Sequence, residues 1–388
     1  MVEIWDLNLR HLEAIVCIAD LGTMSAAVAS VNLTQPAITQ ALARVETTLG
    51  TQLFERRHNG MVPTPAARLL VERLRAALGH IAGPHVNPAH VTMSRMRALL
   101  ALADGGGYDG ARRATGLSLP SLHRAVNDLS LALRRRLAER RGKVVVLTEA
   151  GQTLARAFRL ARVELEAGLA ELEALRGHET RGITVGAMPL SRARVLPAAI
   201  ARFLCRHPQV RVSIVEGSRA ELVEPLRNGV IDIMVGALRD PLVEPDLVQE
   251  PLFQSAPAVV AHRDHPLARS RPTLAQLAAY PWIVGPPGAP LRERRERMFA
   301  RAGLARPRVP VESGSVMIIR QLLIGSDFLT LLDRDQVAAE LEAGWLTAIR
   351  AAPPGLERTI GVTTRASWRP TEVQAAFVAD LKAVANAA

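Results

Sequence analysis

The stretch of the sequence with the clearest chemical pattern is 33–57, LTQPAITQALARVETTLGTQLFERR. Within it, Ile38, Leu42, Val45 and Leu49 recur at helical spacing, so one side of a predicted helix is apolar. The opposite side carries amides, hydroxyls and an arginine, and Gln and Arg side chains can make paired contacts to base edges in a DNA major groove. The pattern predicts a DNA-recognition helix. An ordinary amphipathic helix has the same period, so this helix alone leaves both interpretations open.

The neighbouring segments favour the first interpretation because they supply the elements that would position such a helix. A first helix is predicted over 9–20 and a short second helix over 24–31, with a glycine break between them. Thr34 is a predicted N-cap, and Gly50 is a predicted helix stop. Two short strands around the turn at Asn59 and Gly60 would form a wing. Two helices, a turn, a recognition helix and a wing make a winged helix-turn-helix.

Four motifs carry a family resemblance: A-D-x-G-x-M-S-A-A, L-T-Q-P-A-I-T-Q, L-G-T-Q-L-F-E-R-R and T-P-A. In these motifs the sequence resembles the LysR-type transcriptional regulators. The resemblance implies a regulator that binds double-stranded promoter DNA, contacts RNA polymerase and assembles as a homodimer or homotetramer. It also implies a set of DNA-contacting residues in the first unit: Ser25, Thr34, Gln35, Pro36, Ala37, Thr39, Gln40, Arg44, Arg56 and Arg57.

Composition excludes several other classes of protein. The chain has 388 residues and a formal net charge of +11, which favours a polyanionic partner. No apolar run reaches the length of a bilayer span, and the N-terminus lacks the pattern of a signal peptide, so we expect a cytoplasmic protein with no membrane partner. The two cysteines, Cys17 and Cys205, lie in helical runs and are expected to pack. No Walker motif, zinc-ligand spacing or G-x-S-x-G elbow occurs, so no cofactor, metal or catalytic residue is predicted.

The sequence repeats itself at an offset of 84 residues, from about residue 94 to residue 148. Self-similarity at a fixed offset indicates a duplicated structural unit. We therefore predict a second winged helix-turn-helix, with Ser118 as N-cap and 144–147 as a wing strand. The matched positions include Gly22 and Gly106, Leu33 and Leu117, Pro36 and Pro120, 55–57 and 139–141, and Thr64 and Thr148.

The second copy has changed at the positions that would contact bases. Leu119, His123 and Asp128 replace Gln35, Thr39 and Arg44, while Arg134 replaces Gly50 and Ala138 replaces Phe54. Charge has changed in the opposite direction, because residues 1–63 carry a net charge of −2 and residues 91–143 carry +7. The second copy is predicted to bind phosphates rather than bases; the alternative is a packing spacer with a solvated surface. Its predicted phosphate contacts are Arg124, Arg134, Arg135, Arg136, Arg140 and Arg141.

A helix with apolar residues at alternating steps of three and four follows each winged unit. This spacing is typical of a seam between paired helices. The first helix begins after Thr64 and carries Leu70, Leu74, Ala77 and Ile81. The second begins after Thr148 and is predicted to form a dimerisation seam through Leu154, Phe158, Leu165, Leu172 and Leu175.

The rest of the chain alternates short strands with helices, which predicts parallel βαβ units. Together with I-T-V-G, F-x3-H-P and N-G-x2-D, this region resembles the two-lobed periplasmic-binding-like effector domain of the same family. The resemblance implies a small-molecule co-inducer between the lobes, at the carboxyl ends of strands. Ser191 and Ser218 would each begin a helix that could hold a carboxylate or a sugar hydroxyl; the alternative is that each serine is only an N-cap. The implied effector-binding residues are Pro189, Leu190, Ser191, Gly217, Ser218, Gly236, Ala237 and Gly288.

The predicted fold is thus an α+β multidomain chain with two tandem winged helix-turn-helix units, linker helices and a two-lobed α/β effector domain. The predicted function is a sequence-specific, ligand-responsive transcriptional regulator that is not an enzyme. The alternative is a binding protein or enzyme of the periplasmic-binding-like fold with vestigial helix-turn-helix units. The expected domains are a winged unit (1–66), a linker helix and hinge (67–90), a second winged unit (91–147), a dimerisation helix (148–178) and the effector domain (179–388), with lobe I over about 181–258 and 348–388 and lobe II over about 259–347.

Overall fold

A computed structural model describes residues 2–31, 33–58, 60–83, 86, 88–142, 144–178, 182–351 and 357–387. Asn59, which was predicted to begin the first wing turn, lies outside the described residues, as does the predicted start of the effector domain at 179–181. The chain divides into two compact units, residues 1–181 and residues 182–388. No helix in the described part of the chain is both long and apolar enough to cross a membrane.

The first part of the N-terminal unit is a winged helix-turn-helix followed by a linker helix. Its elements are α1 (Leu9–Leu21), α2 (Met24–Val31), α3 (Gln35–Leu49), β1 (Phe54–Arg57), β2 (Gly60–Pro63) and α4 (Pro65–Ile81). Asn8 caps α1 by accepting a hydrogen bond from the Arg10 N–H, and Gly22 ends it in the left-handed conformation. The two wing strands are antiparallel, with Phe54 opposite Pro63. The predicted order of elements is therefore present in the first copy.

The second part repeats this order. Its elements are α5 (Met93–Gly105), α6 (Tyr108–Thr115), α7 (Leu119–Ala132), β3 (Ala138–Arg141), β4 (Val144–Leu147) and α8 (Glu149–Ala174). The second wing has Ala138 opposite Leu147, which is the first wing's register moved by 84 residues. Ser118 caps α7 as predicted, by accepting from the Ser121 N–H. The repeat detected in the sequence is thus a repeat in three dimensions.

The two linker helices pack against each other within the chain. Leu70, Leu74, Ala77 and Ile81 of α4 are buried in one hydrophobic cluster with the apolar residues of α8. Within one chain, the apolar face of α8 is therefore covered by α4, and the predicted seam between two chains stays a prediction. Spacing specifies an apolar helix face but not which helix covers it. Leu154, Phe158, Leu165 and Leu172 are buried in this cluster, whereas Leu175 is 55% exposed and lies beyond the end of α8.

The C-terminal unit is built on one five-stranded and one three-stranded sheet. Its elements are β5 (Ile183–Ala187), α9 (Val195–Arg206), β6 (Val212–Glu216), α10 (Arg219–Arg227), β7 (Ile233–Ala237), β8 (Leu247–Ser255), β9 (Pro257–His262), α11 (Leu274–Ala278), β10 (Ile283–Val284), α12 (Pro290–Arg301), β11 (Val311–Glu312), α13 (Val316–Ile324), β12 (Thr330–Asp333), α14 (Ala338–Glu342), β13 (Leu346–Ala351), β14 (Arg358–Arg365) and α15 (Glu372–Asn386). The larger sheet has the order β6-β5-β7-β14-β8, with β5 parallel to β6 and β7. This is the predicted parallel βαβ arrangement.

The second lobe contains the sheet β12-β9-β13 and the short parallel pair β10-β11. The predicted lobe boundary near residue 347 falls inside β13, whose residues through Ala351 pair with β9. The second lobe therefore extends further along the chain than predicted. An ion pair of 2.9 Å between Arg194 Nη2 and Asp335 Oδ1 joins the loop before α9 to the turn after β12, and so links the two lobes.

Candidate nucleic-acid interface and effector site

Helix α3 separates buried apolar residues from an exposed polar face. Ile38, Leu42, Val45 and Leu49 are buried against the core of the N-terminal unit. Pro36 lies in the first turn, where its missing N–H interrupts no helical hydrogen bond. Among the predicted residues of the helix, Ala37 is half-buried, and the exposed ones are Gln35, Pro36, Thr39, Gln40 and Arg44.

The N-terminus of α3 departs from the predicted cap in one detail. Thr34 has the extended backbone of an N-cap residue, but its hydroxyl caps no backbone N–H of the described helix. The free N–H groups of a helix N-terminus favour an anion. Thr34 is therefore exposed beside a position suited to a DNA phosphate, together with Ser25, which is exposed on α2.

The rest of the first unit's polar surface lies on the wing and beside α1. Arg56 and Arg57 are exposed on β1, and Arg57 is held by Glu55 at 2.7 Å. On the other side of α3, a groove of about 330 Å³ lies between α1 and the recognition helix, and its lining includes His11, Gln40 and Arg44. Burial, and then the charge of Arg44, lower the pKa of His11. That imidazole is therefore neutral at neutral pH.

The second unit presents a cluster of arginines where the first presents a neutral turn. Arg134, Arg135 and Arg136 follow α7 and are exposed, as are Arg124, Arg140 and Arg141. Arg136 Nε donates to the Ala138 carbonyl at 3.3 Å, Arg140 Nε donates to the Gly142 carbonyl at 3.0 Å, and Arg141 pairs with Glu139 at 2.9 Å. The cluster can meet phosphate oxygens with several guanidinium groups at once.

Arg134 occupies an unfavourable backbone conformation. Among the non-glycine residues that the structure describes, it alone has a positive φ, of 50°. Gly50, at the same place in the first unit, has φ of 60°. The backbone N–H of Gly50 donates to the Thr47 carbonyl, and that of Arg134 donates to the Leu131 carbonyl in the same way. The second unit thus keeps the turn of the first and places an arginine where glycine is preferred.

The recognition positions of the second unit are also rearranged. His123 stacks on Tyr108, with ring centroids 3.7 Å apart. Phe54 is buried in the first wing, whereas Ala138 stands at the equivalent position of the second wing and lines an open groove of about 430 Å³ between α7 and β3. Sequence comparison of the two copies shows the loss of the phenylalanine, but the groove itself was not predicted.

The structure brings together the predicted effector loops after β5, β6 and β7. A Cβ placed on Gly236 would lie 2.4 Å from the Cβ of Met188, so these two loops approach as closely as only glycine permits. The Gly217 N–H faces the Ala187 carbonyl at 3.4 Å. Ala237 is half-buried beside Gly236, and Pro189 is exposed. Gly288 lies exposed in the loop between β10 and α12 of the other lobe.

Two of the predicted effector residues are placed differently from the prediction. Ser191 does not begin a helix, because α9 begins at Val195; the serine is fully buried and its hydroxyl donates to the Met188 carbonyl at 2.9 Å. Leu190 beside it is also buried. Ser218 does precede α10, but its N–H and hydroxyl both donate to the Glu221 carboxylate at 2.8 Å. These bonds hold the pKa of Glu221 below its usual value, so a carboxylate of the chain already occupies this N-terminus.

Arg192 was not predicted, although it joins two of these loops. Its Nε donates to the Ala187 carbonyl at 3.0 Å, its Nη2 donates to the Gly217 carbonyl at 3.3 Å, and its Nη1 pairs with Glu216 at 3.0 Å. The guanidinium therefore fixes the carboxyl ends of β5 and β6 relative to each other. The sequence offered no signal for this role, because a single arginine in a loop has no periodicity.

The folds and sites together define a class of protein. A winged helix-turn-helix with a polar recognition face, joined through a helix to a two-lobed α/β ligand-binding domain, is the architecture of a DNA-binding transcriptional regulator with an effector domain. The chain belongs to the LysR family. The family model described as the LysR substrate binding domain matches residues 176–386. The model described as the bacterial regulatory helix-turn-helix protein, lysR family, matches twice, at residues 9–68 and 93–152.

Relatives and solved structures agree with this assignment. The HTH-type transcriptional regulator GalR of Pseudomonas putida is 32% identical over 392 residues, which cover 99% of each chain. The SDS degradation transcriptional activation protein of a Pseudomonas species is 33% identical over 283 residues, which cover 71% of this chain and 90% of the relative. The fold is similar to that of full-length LysG from Corynebacterium glutamicum with the bound effector Arg, with a TM-score of 0.57 and 19% identity over 78% of this chain and 99% of that one. It is also similar to full-length CbnR in complex with its target DNA, with a TM-score of 0.51 and 19% identity over 75% and 98% of the two chains.

These findings confirm the predicted fold class and the predicted family. The chain is a DNA-binding transcriptional regulator with a C-terminal effector-binding domain, and it is not an enzyme. The alternative of a binding protein or enzyme with vestigial helix-turn-helix units is set aside. The SDS degradation activator covers 71% of this chain, whereas the P. putida relative covers nearly all of it, including the second winged unit.

Proposed function

We propose that this regulator recognises an operator through α3 and the first wing, and that a small-molecule co-inducer bound between the lobes of residues 182–388 changes operator occupancy. The observation that carries the proposal is the polar face of α3. Gln35, Thr39, Gln40 and Arg44 are exposed on a helix whose opposite side is buried. Their amide, hydroxyl and guanidinium groups suit base edges in the major groove.

The residues around this face have a second role. Ser25, Thr34, Arg56 and Arg57 surround α3 and supply hydroxyls and positive charge, which suit phosphate oxygens. Pro36 and Ala37 allow close approach of the first helical turn. These contacts fix the register of the helix on the duplex, while the amides and Arg44 discriminate between base pairs.

The second winged unit adds phosphate contacts through six of its exposed arginines, the ones predicted from the sequence. Its net charge of +7 over residues 91–143 supports this role, and so does the replacement of Gln35, Thr39 and Arg44 at the equivalent positions. An arginine side chain that binds phosphate releases condensed counterions, so this unit would contribute affinity that depends on salt rather than on sequence.

For the remaining organisation we propose the domains expected from the sequence, with winged units over about 1–66 and 91–147 and an effector domain from about residue 179. We further propose that the protein is a homo-oligomer assembled through the C-terminal unit, where the edge strand β6 exposes Ile214 and Val215. A promoter-bound regulator of this kind acts in the cytoplasm and contacts RNA polymerase.

Selection of genomic DNA tests the proposal. Purified full-length protein is incubated with sheared DNA of its host at near-physiological salt, and bound fragments are sequenced. The expected result is a small set of fragments that share a consensus and bind on the order of 10³-fold or more tightly than random duplex. Equal affinity for all fragments would indicate a protein that binds DNA without sequence recognition, and absence of binding would contradict the proposed function. Operator affinity measured with pools of small organic acids and sugars then identifies the co-inducer class.

A further inference from the structure

Helices α4 and α8 pack against each other within one chain. Both helices carry an apolar seam, and both seams belong to a single hydrophobic cluster that also contains core residues of the two winged units. A seam spaced for pairing with another helix is thus satisfied without a second protomer.

Polar contacts fix the direction of this pair. Arg73, in the middle of α4, donates from Nη1 to Glu164 at 2.9 Å and from Nε to Glu171 at 3.0 Å, both in the second half of α8. Arg176, just beyond α8, donates to the Leu49 and Gly50 carbonyls at 2.6 and 3.1 Å. The wing that starts after these residues leads directly into the N-terminus of α4. The end of α8 therefore lies near the beginning of α4, and the helices are antiparallel.

The ion pairs at the centre are buried and fully engaged. The side chains of Arg73 and Glu164 are each only 6% exposed. Burial opposes the charge of Arg73, but hydrogen bonds to Glu171 and Glu164 outweigh it and raise the pKa of the guanidinium. Glycine permits the close approach at this level, since a Cβ on Gly168 would lie 3.1 Å from Arg73 Cβ and 3.1 Å from Leu70 Cδ1. These buried ion pairs and the close approach at Gly168 are specific to the two helix faces that form them.

Each helix of the pair also carries its own winged unit in the same way. Arg75 of α4 pairs with Asp20 of α1 at 2.5 Å, and Arg159 of α8 pairs with Asp104 of α5 at 2.5 Å. Both pairs are related by the 84-residue offset. Two antiparallel helices that each hold an equivalent unit through an equivalent contact are related by an approximate twofold axis. The units also touch directly, since the Arg97 guanidinium lies 5.6 Å from the centre of the Trp5 ring.

We propose that residues 1–178 form a two-unit DNA-binding head that is complete in one chain, the α4–α8 pair taking the place of a helix pair between two protomers. One chain then covers two adjacent positions on a duplex. Only the position under α3 is recognised by sequence, because the second unit has arginines but not the base-contacting residues. The operator element of one protomer is therefore asymmetric, with one conserved half-site beside a stretch held through its backbone. The asymmetric operator element rests on the proposed function, whereas the internal pairing of α4 and α8 does not.

Disulfide trapping distinguishes internal pairing from pairing between chains. In a background with Cys17→Ala and Cys205→Ser, the full-length protein carries Leu70→Cys and Gly168→Cys, where the shorter cysteine at 70 makes room for the new side chain. A second variant, Arg73→Cys with Gly168→Cys, Glu164→Gln and Glu171→Gln, tests the same part of the helix pair and leaves neither carboxylate partner of Arg73 as an unpaired charge. The control is Leu69→Cys with Gly168→Cys, because Leu69 is exposed on another side of α4.

We expect both test variants to lose two free thiols per chain on oxidation and to run as covalent monomers, at any protein concentration, whereas the control retains its thiols. Single-cysteine chains at 70 and 168, mixed and oxidised together, should give no covalent dimer. Covalent dimers from the mixed chains would overturn the proposal, because the seam would then join two protomers.

Hydroxyl-radical footprinting tests the DNA part. On a duplex with one selected half-site, wild type should protect that half-site and a second stretch centred about 10 base pairs, or a multiple of that, away. Randomising the second stretch should change affinity by less than about twofold, and Arg134→Ala with Arg135→Ala and Arg136→Ala should remove its protection. Protection of the half-site alone would overturn the asymmetric element while leaving the proposed function intact. Absence of any specific footprint would instead contradict the proposed function.

Discussion

At the level of single residues, recognition depends on which side chains of α3 are exposed and what they can donate or accept. Gln35 is exposed in the first helical turn and has both a donor and an acceptor on one amide. Arg56, on the first wing, has only donors. Replacing either residue by alanine should therefore change DNA binding in a different way.

Gln35→Ala should reduce discrimination between the operator and other sequences by about 1–3 kcal/mol for each hydrogen-bonded base pair that the amide no longer reads. Its affinity for random duplex should be nearly unchanged, because no charge is removed. Arg56→Ala is the matched comparison and should weaken specific and non-specific binding together. Equilibrium titrations on operator and random duplexes give both quantities. If Gln35→Ala lowers both affinities equally, Gln35 contacts the DNA backbone and its assignment is wrong.

Arg134 combines backbone strain with an exposed positive charge. A left-handed conformation costs a non-glycine residue roughly 1 kcal/mol. Arg134→Gly is therefore expected to raise the free energy of unfolding by up to about 1 kcal/mol, while it reduces the salt dependence of DNA binding by about 0.9 in the slope of log K against log[salt]. Denaturant unfolding and salt titration measure the two effects. A variant that is less stable than wild type would show that the arginine makes a structural contact that outweighs the strain.

At the level of helices and strands, α8 stabilises the head through its buried seam. Leu165 is only 2% exposed in this seam, whereas Leu175, just after the end of α8, is 55% exposed. Leu165→Lys should lower the free energy of unfolding by at least about 3 kcal/mol, because it removes apolar packing and buries a charge. Leu175→Lys introduces the same chemical change at an exposed site. It should alter the free energy of unfolding by less than about 0.5 kcal/mol.

Sedimentation separates this effect from a change in assembly. Leu165→Lys should retain the oligomeric state of wild type at temperatures where it is folded, since the residue is buried in the hydrophobic cluster of its own chain. A variant that remains as stable as wild type but dissociates would place Leu165 between protomers.

The elements show what sequence patterns can and cannot predict. Periodicity and capping residues correctly predict α3 and both wings, because these features depend on residues close together in the chain, and self-similarity at a fixed offset correctly predicts the second unit. The same periodicity does not specify the partner of α8, since an apolar face is equally stable against any helix that fits it. Ser218 correctly marks a helix start, but the competing carboxylate of Glu221 and the contacts of Arg192 depend on side-chain directions in the folded chain. These directions carry no signal in the spacing of residue types.

At the level of the whole molecule, the residues proposed to contact bases and the excess positive charge lie in different copies of one fold. Residues 1–63 have a net charge of −2 and hold the residues that we propose contact bases, whereas residues 91–143 have +7 and carry other residues at those positions. Phosphate contacts supply affinity and salt dependence, and base contacts supply specificity. We therefore propose that the first copy recognises the operator sequence and the second copy binds the DNA backbone.

The most direct test of this claim is selection of binding sites from random duplexes, combined with salt titration, for wild type and for Arg134→Ala, Arg135→Ala and Arg136→Ala together. Arg263→Ala, Arg269→Ala and Arg271→Ala together form the control, because they remove the same charge from exposed positions of the C-terminal unit. The triple variant at 134–136, called the head variant, should select the wild-type consensus. Its slope of log K against log[salt] should become smaller by on the order of one to three units per protomer. The control should keep both consensus and slope. An unchanged slope in the head variant would assign the second unit to packing, and a changed consensus would mean that its helix contacts bases; either result would contradict the division of roles.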